Sequence, residues 1–143
     1  MKQPSSRYRT GRRVLRKIHG QRAIDTIDAM ADIAPDMPRF VYEFPFAEIY
    51  TRPGLDLKSR QLVTVSCLAT LANAGPQLKA HLRGSLNVGW TREELVEALM
   101  QLAVYAGFPA ALNALKIARE VFAEIDTAAT ATKPVRRKRA PRG

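Results

Sequence analysis

Three side chains in this 143-residue sequence ordinarily change protonation state or attack as nucleophiles near neutral pH: His19, Cys67 and His81. His81 lies in PQLKAHLRGSLNVGW (76–90), where Leu78, Leu82 and Leu86 recur every four residues, as on the apolar stripe of a helix. An imidazole at the edge of such a stripe is either a hydrogen-bonded structural residue or a general acid–base group in a site poor in water. Gln77 and Ser85 stand one turn away on its face. Arg83 is two positions on and points to roughly the opposite side, so His81 and Arg83 are not expected to line one pocket within one chain.

Glu48 and Arg52 are four apart in FPFAEIYTR and share a face if that stretch is helical. The alternatives are a surface ion pair or a carboxylate partly desolvated by apolar neighbours. Cys67, inside VTVSCLAT, reads as an inert thiol on a buried helix. His19, in a basic stretch before Gly20, reads as solvated. Two distant histidines and one cysteine give no metal-ligand spacing, and no glycine-rich phosphate loop is present.

The elements that must carry these residues read as helices throughout. Val14, Leu15 and Ile18 lie close on one helical face before Gly20, and Ile24, Ile27 and Ala31 resume the spacing until Pro35 and Pro38 close the segment. Pro45 is expected to start a short helix that ends by Arg52, ahead of Pro53. A buried helix runs from Lys58 to Gly75, and Pro76 opens the helix that bears His81. TREE (91–94) has the form of a capping box. The helix behind it is apolar on two stripes, with Leu95, Leu99 and Leu102 on one and Val96, Met100 and Val104 on the other. It is therefore expected to be sandwiched in a core or at a subunit interface. Pro109 begins a last helix with Leu112, Leu115, Phe122 and Ile125 facing inward. The fold class is all-α with short links.

Composition narrows the function classes. The net charge of +10 suggests a polyanion partner, but its distribution argues against a nucleic-acid footprint. Eight basic residues and no acid fall in 1–22, and six basic residues and no acid in 127–143. The middle, 23–126, holds the other nine of the 23 together with all 13 acids. The organisation expected is a basic N-terminal arm or helix (1–22), a helical domain (23–126) and a disordered basic tail (127–143). No apolar run approaches the ~20 residues of a membrane span, no secretory signal is seen, and a single cysteine rules out an intramolecular disulfide. A cytoplasmic location is the expectation.

The segments AEIYTRPGLDLKSRQLVTVSCLATL and QLKAHLRGSLNVGWTREELVEALMQLAVYAGFPAALNAL, in that order, resemble the carboxymuconolactone decarboxylase family. The resemblance runs from Glu48 to Phe122, with a weaker match from Arg7. It implies an alkylhydroperoxidase D-like all-α subunit that assembles with copies of itself as a homotrimer or homohexamer. The peroxidase branch of that superfamily carries a CxxC ahead of a histidine. Those cysteine positions fall here on Ala74 and Gln77, so the thiols are absent, while the histidine survives as His81.

What the resemblance implies is a cofactor-independent carboxy-lyase of protocatechuate catabolism. It would convert 4-carboxymuconolactone, or a related lactone or keto acid, to 3-oxoadipate enol-lactone. His81 and Glu48 are the candidate catalytic residues and Arg52 and Arg60 the candidate carboxylate clamps. Loss of carbon dioxide leaves a dienolate that the site must stabilise and protonate. The competing reading is a non-catalytic or redox-accessory protein whose basic arms bind a polyanionic partner.

Every segment that carries the resemblance lies between the basic ends. Truncating the chain after Asp126 is therefore expected to leave turnover unchanged, with any change in kcat/KM vanishing at high salt. A truncated protein that folds but has lost turnover contradicts this.

Overall fold

The computed structural model describes residues 4–131, and all regular structure among them is helical. The disordered tail was expected from Thr127, but residues 127–131 are helical, and the remainder, with its RRKR run, lies outside the described residues. In chain order the helices are α1 (Ser6–His19), α2 (Gln21–Ala29), α3 (Met37–Val41), α4 (Leu57–Leu71), α5 (Gly75–Asn87), α6 (Arg92–Tyr105) and α7 (Phe108–Ala131). A short 3-10 turn (Met30–Asp32) follows α2, and a π-helical segment (Tyr42–Ile49) continues α3.

The starts of the helices follow local chemistry. Ser5 caps α1 by accepting from the Tyr8 amide at 3.0 Å, and Asp56 caps α4 by accepting from the Ser59 amide at 2.7 Å. At α6 both halves of the capping box are present: the Glu94 amide donates to Thr91 Oγ1 at 3.1 Å, and the Thr91 amide donates to Glu94 Oε2 at 2.8 Å. Pro76 sits in the first turn of α5, as expected. Gly20, at φ 78°, lets the chain turn directly from α1 into α2.

Pro45 departs from expectation. It lies inside the π segment instead of opening a helix, and α3 runs straight into that segment. Proline has no N–H to give to an α-type bond, and the wider i→i+5 winding accommodates the gap. The segment closes with the Tyr50 amide donating to the Pro45 carbonyl at 2.9 Å. α4 also ends earlier than expected, at Leu71, with Ala72 in the left-handed region at φ 62°.

Two apolar cores hold the fold. The larger gathers Val65 and Ala69 of α4, Leu78 and Leu82 of α5, Leu95 and Leu99 of α6, and Ala114, Ala118 and Val121 of α7. In α7 the inward line is thus alanine and valine. Leu115, Phe122 and Ile125 pack at its margin, and Leu112 is exposed. Small side chains let the longest helix approach its neighbours closely, which a leucine line would prevent. Cys67 is exposed, contrary to expectation, and so are Val63 and Leu71 one turn to either side. A helix apolar all round does not reveal from its pattern which side is covered.

The second core joins Leu15 and Ile18 of α1, Ile24 of α2, and Tyr42 and Phe46 of the π segment. The basic N-terminal helix therefore packs into the fold instead of standing off from it. Its charged residues face outward, and Arg12 reaches Asp28 at 2.6 Å beside the buried Tyr42 hydroxyl, which donates to Asp28 at 2.7 Å. α1 lies so close to the π segment that a Cβ at Gly11 would stand 1.8 Å from the Tyr42 carbonyl oxygen. Backbone cannot yield there as a side chain tip would. Gly11→Ala is expected to cost about 3 kcal/mol or more of stability, read as a fall in denaturation midpoint. An unchanged midpoint contradicts this packing.

Candidate active site

Helix α5 brings His81 to the wall of a cavity of about 620 Å³. Its apolar lining includes Leu15 of α1, Ile27 of α2 and Phe46 of the π segment, and His19 lies on the same wall as His81. Arg22, Arg83 and Glu124 line it as well. The expectation that Arg83 and His81 face different spaces is corrected here. At about 100° per residue, the lining positions Arg83, Pro76, Ala80, Gln77 and His81 sweep roughly 160° of the α5 surface, and Arg83 and His81 are the two edges of that sweep. Arg83 pairs with Glu124, which also receives Lys79 at 3.3 Å.

A chain of hydrogen bonds fixes the protonation of His81. Thr64 Oγ1 lies 2.9 Å from the Arg60 carbonyl, which can only accept, so the threonine donates. The Tyr50 hydroxyl, 2.8 Å from Thr64 Oγ1, then donates to it. Gln61 Nε2 donates to the Tyr50 oxygen at 3.4 Å, which turns Gln61 Oε1 toward His81 Nδ1 at 3.0 Å. His81 Nδ1 must carry the hydrogen, and Nε2 keeps its lone pair. Gln61 is fully buried, and a buried carboxamide needs such partners. Burial pushes the Tyr50 hydroxyl up from its ordinary range, so it stays protonated and able to donate.

Burial also drives His81 strongly toward the neutral form, with a second contribution from His19, and its pKa falls to about 3. His19 was expected to be solvated. The structure instead half-buries it against His81, ring centroids 4.6 Å apart and nearly perpendicular, with Phe46 on another side at 6.0 Å. Burial lowers its pKa too.

The other residues proposed from sequence lie elsewhere. Glu48 is exposed and pairs with Arg7. Arg60 donates from Nε to the Leu55 carbonyl and from its terminal nitrogen to the Arg52 carbonyl, both at 3.0 Å, and so braces the loop that leads into α4. Arg52 is exposed on that loop. The cavity lining includes none of the three. Sequence reasoning missed Gln61, Tyr50, His19 and Arg22. Gln61 had a signal: it shares a four-residue stripe with the buried Val65 and Ala69.

A second hollow, of about 340 Å³, is lined by Val96, Leu115 and Phe122 with Arg119 and Asp126. It holds no imidazole, and Asp126 is taken up by Arg92 at 2.6 Å.

The sequence has relatives among known proteins. The family model for the carboxymuconolactone decarboxylase family matches residues 35–120. The chain belongs to that family. It is 33% identical over 123 residues to a 4-carboxymuconolactone decarboxylase of Acinetobacter baylyi, covering 85% of this chain and 91% of that protein. An uncharacterized 15.0 kDa protein of Paracoccus denitrificans is 37% identical over 99 residues, 68% of this chain and 74% of its own. A nitrosuccinic acid decarboxylase of Metarhizium robertsii is 34% identical over 80 residues, 56% of this chain and 55% of its own. Two relatives in this carboxymuconolactone decarboxylase family are thus named for losing carbon dioxide from different acids, which supports a decarboxylase in the broad sense.

The neutral state of His81 gives this family member a pH signature. Below the unfolded value of about 6.5 the unfolded chain takes up a proton that folded His81 refuses until about 3. Stability is fully present above 6.5 and is lost as pH falls. Between pH 6.5 and 5 the loss attributable to His81 is expected to be roughly 1–2 kcal/mol. His81→Gln should remove that part of the acid dependence, measured by denaturant unfolding at several pH values. Identical slopes for both proteins would count against a neutral, half-buried His81.

Proposed function

We propose that this protein is a cofactor-independent decarboxylase acting on 4-carboxymuconolactone, or on a lactone or keto acid of the same design, as in protocatechuate catabolism. The observation that supports it most is His81 Nε2: one lone pair, in an apolar cavity, on a ring whose other nitrogen is locked to Gln61. Similarity to the Acinetobacter baylyi enzyme over most of both chains points the same way.

The chemistry asks for little else. The carboxylate to be lost sits on a carbon conjugated through an alkene to the lactone carbonyl. When the carbon–carbon bond breaks, its electron pair spreads into a dienolate. The apolar wall weakens hydration of the leaving carboxylate, and a proton carried on His81 Nε2 quenches the carbanion. Negative charge on the bound substrate raises the proton affinity of His81, so the imidazole that is neutral in the empty cavity becomes an acid when it is needed.

The retained carboxylate arm needs a cation. In this reading Arg22 takes it, since Arg83 is engaged by Glu124. A grip on the arm and not on the leaving group avoids stabilising the ground state. Glu48, Arg52 and Arg60 take part only if a second copy carries them to the cavity. Self-association as a trimer or hexamer belongs to the same reading. It is supported by the exposed apolar residues Met100, Val104 and Tyr105 at the end of α6 and Phe108 and Leu112 at the start of α7.

The direct test is the spectrophotometric loss of freshly generated 4-carboxymuconolactone. The wild type should turn it over without added metal or cofactor, and His81→Ala should lower turnover at least ~10²-fold. Equal turnover in a folded His81→Ala variant removes His81 from the mechanism.

A further inference from the structure

His19 is built into the site with more care than packing needs. The last turn of α1 is tied to α5 by Asn87 Nδ2, which donates to the Ile18 carbonyl at 2.8 Å. His19 Nδ1 lies 3.3 Å from the Ala80 carbonyl, which can only accept, so Nδ1 carries the hydrogen and Nε2 keeps the lone pair. That Nε2 is buried and has no hydrogen-bond partner among the described residues. The ring fits only because position 84 is glycine: a Cβ there would stand 2.7 Å from His19 Cε1 and 2.8 Å from Nδ1. One residue later, Gly20 turns the chain away at φ 78°. A glycine, an asparagine bond and a turn thus cooperate to seat an imidazole with an idle lone pair edge-to-face on His81 at 4.6 Å.

We propose that His19 is a positioning residue for proton transfer, forming with His81 a coupled pair of imidazoles in which only one ring at a time carries an added proton. The inference rests on the decarboxylase reading for the use of that proton, but not for its existence. Two positive rings at this separation in an apolar wall repel strongly. The second proton binds weaker than the first by on the order of a hundredfold. The other charges facing the cavity are Arg22 from α2, Arg83 from α5 and Glu124 from α7, and the Tyr50 hydroxyl stands behind Gln61. With Arg83 engaged by Glu124, Arg22 adds to the resistance against a second proton.

In turnover the carbon–carboxylate bond breaks and its electron pair moves through the alkene to give the dienolate. Carbon dioxide leaves, and the proton on His81 Nε2 bonds to the dienolate carbon beside the lactone carbonyl, which leaves the double bond at the ring carbon that lost the carboxylate, as in the enol-lactone. His81 is left neutral and regains a proton from water that enters the cavity. The sum is one carboxylate and one proton consumed, one carbon–hydrogen bond and one carbon dioxide formed. His19 does not touch the substrate; it sets when His81 is charged.

The test uses the full-length protein with nitrogen-15-labelled histidine, followed by NMR through an acid titration, and kinetics with 4-carboxymuconolactone. In the wild type both rings should be neutral at pH 7 with hydrogen on Nδ1. Each ring should report both steps of a split titration. In His19→Gln, which keeps a donor for the Ala80 carbonyl but cannot titrate, the His81 step should move up by about one pH unit, the scale of one nearby charge. The acid limb of the rate profile should move with it, while KM stays within about twofold. Gly84→Ala, which displaces the His19 ring without removing it, should shift the limb the same way.

Two rings that titrate independently in the wild type overturn the pair, whatever the variants do. So does a His19→Gln protein whose rate falls equally at every pH with an unmoved limb, since that is the mark of a purely structural histidine. A wild type that turns over no lactone overturns the decarboxylase reading, and the ring titration alone then decides the pair.

Discussion

An imidazole can remain in an apolar cavity only if one of its nitrogens is satisfied, and in this protein that condition falls on Gln61. The carboxamide is buried without any access to water, so it cannot be exchanged for a solvent contact. It in turn depends on the Tyr50 hydroxyl, and that on Thr64 and the Arg60 carbonyl one turn before it on α4. The order of hydrogens along this series is forced from its far end, by a backbone oxygen that has nothing to donate. A carbonyl in α4 thereby decides which nitrogen of a histidine in α5 is free for chemistry. Arg60, proposed from sequence as a clamp, contributes through its backbone oxygen, while its guanidinium braces the preceding loop.

The fold was legible where local chemistry is self-sufficient. Thr91 and Glu94 announce a helix start that needs no tertiary partner, and Pro76 in the first turn of α5 is equally autonomous. His81 was legible as a residue on an apolar edge. What was hidden depends on contacts between segments far apart in sequence. His19 looks solvated beside its charged neighbours, and only the approach of α5 buries it. Cys67 and Leu112 sit on helices with apolar residues on every side, so periodicity could not say which face is covered. Arg83 was misplaced by treating a cavity wall as a line; the wall is a wide arc, and a long side chain stands at its edge.

The balance of burial also separates two kinds of helix. α7 approaches the core through Ala110, Ala111, Ala114 and Ala118, so its backbone comes close and its larger residues spread sideways. α6 seats Leu95 and Leu99 and leaves Met100 and Val104 facing out. One helix is spent on the interior of the subunit, and the other has apolar surface left over. That surplus is the surface on which the proposed self-association rests.

The π winding at Tyr42–Ile49 governs angular phase. A helix with one extra residue in a turn is rotated by about 100° beyond that point relative to an unbroken α-helix. Phe46, packed against His19, and Tyr50, bonded to Gln61, both come after the point where the winding widens. Their placement against His19 and Gln61 is thus a matter of register along the chain as much as of side-chain type. In such a segment the length of the chain is itself under constraint. Substitutions that respect volume leave the phase intact, whereas the loss of a single residue would turn both rings away from the histidines together.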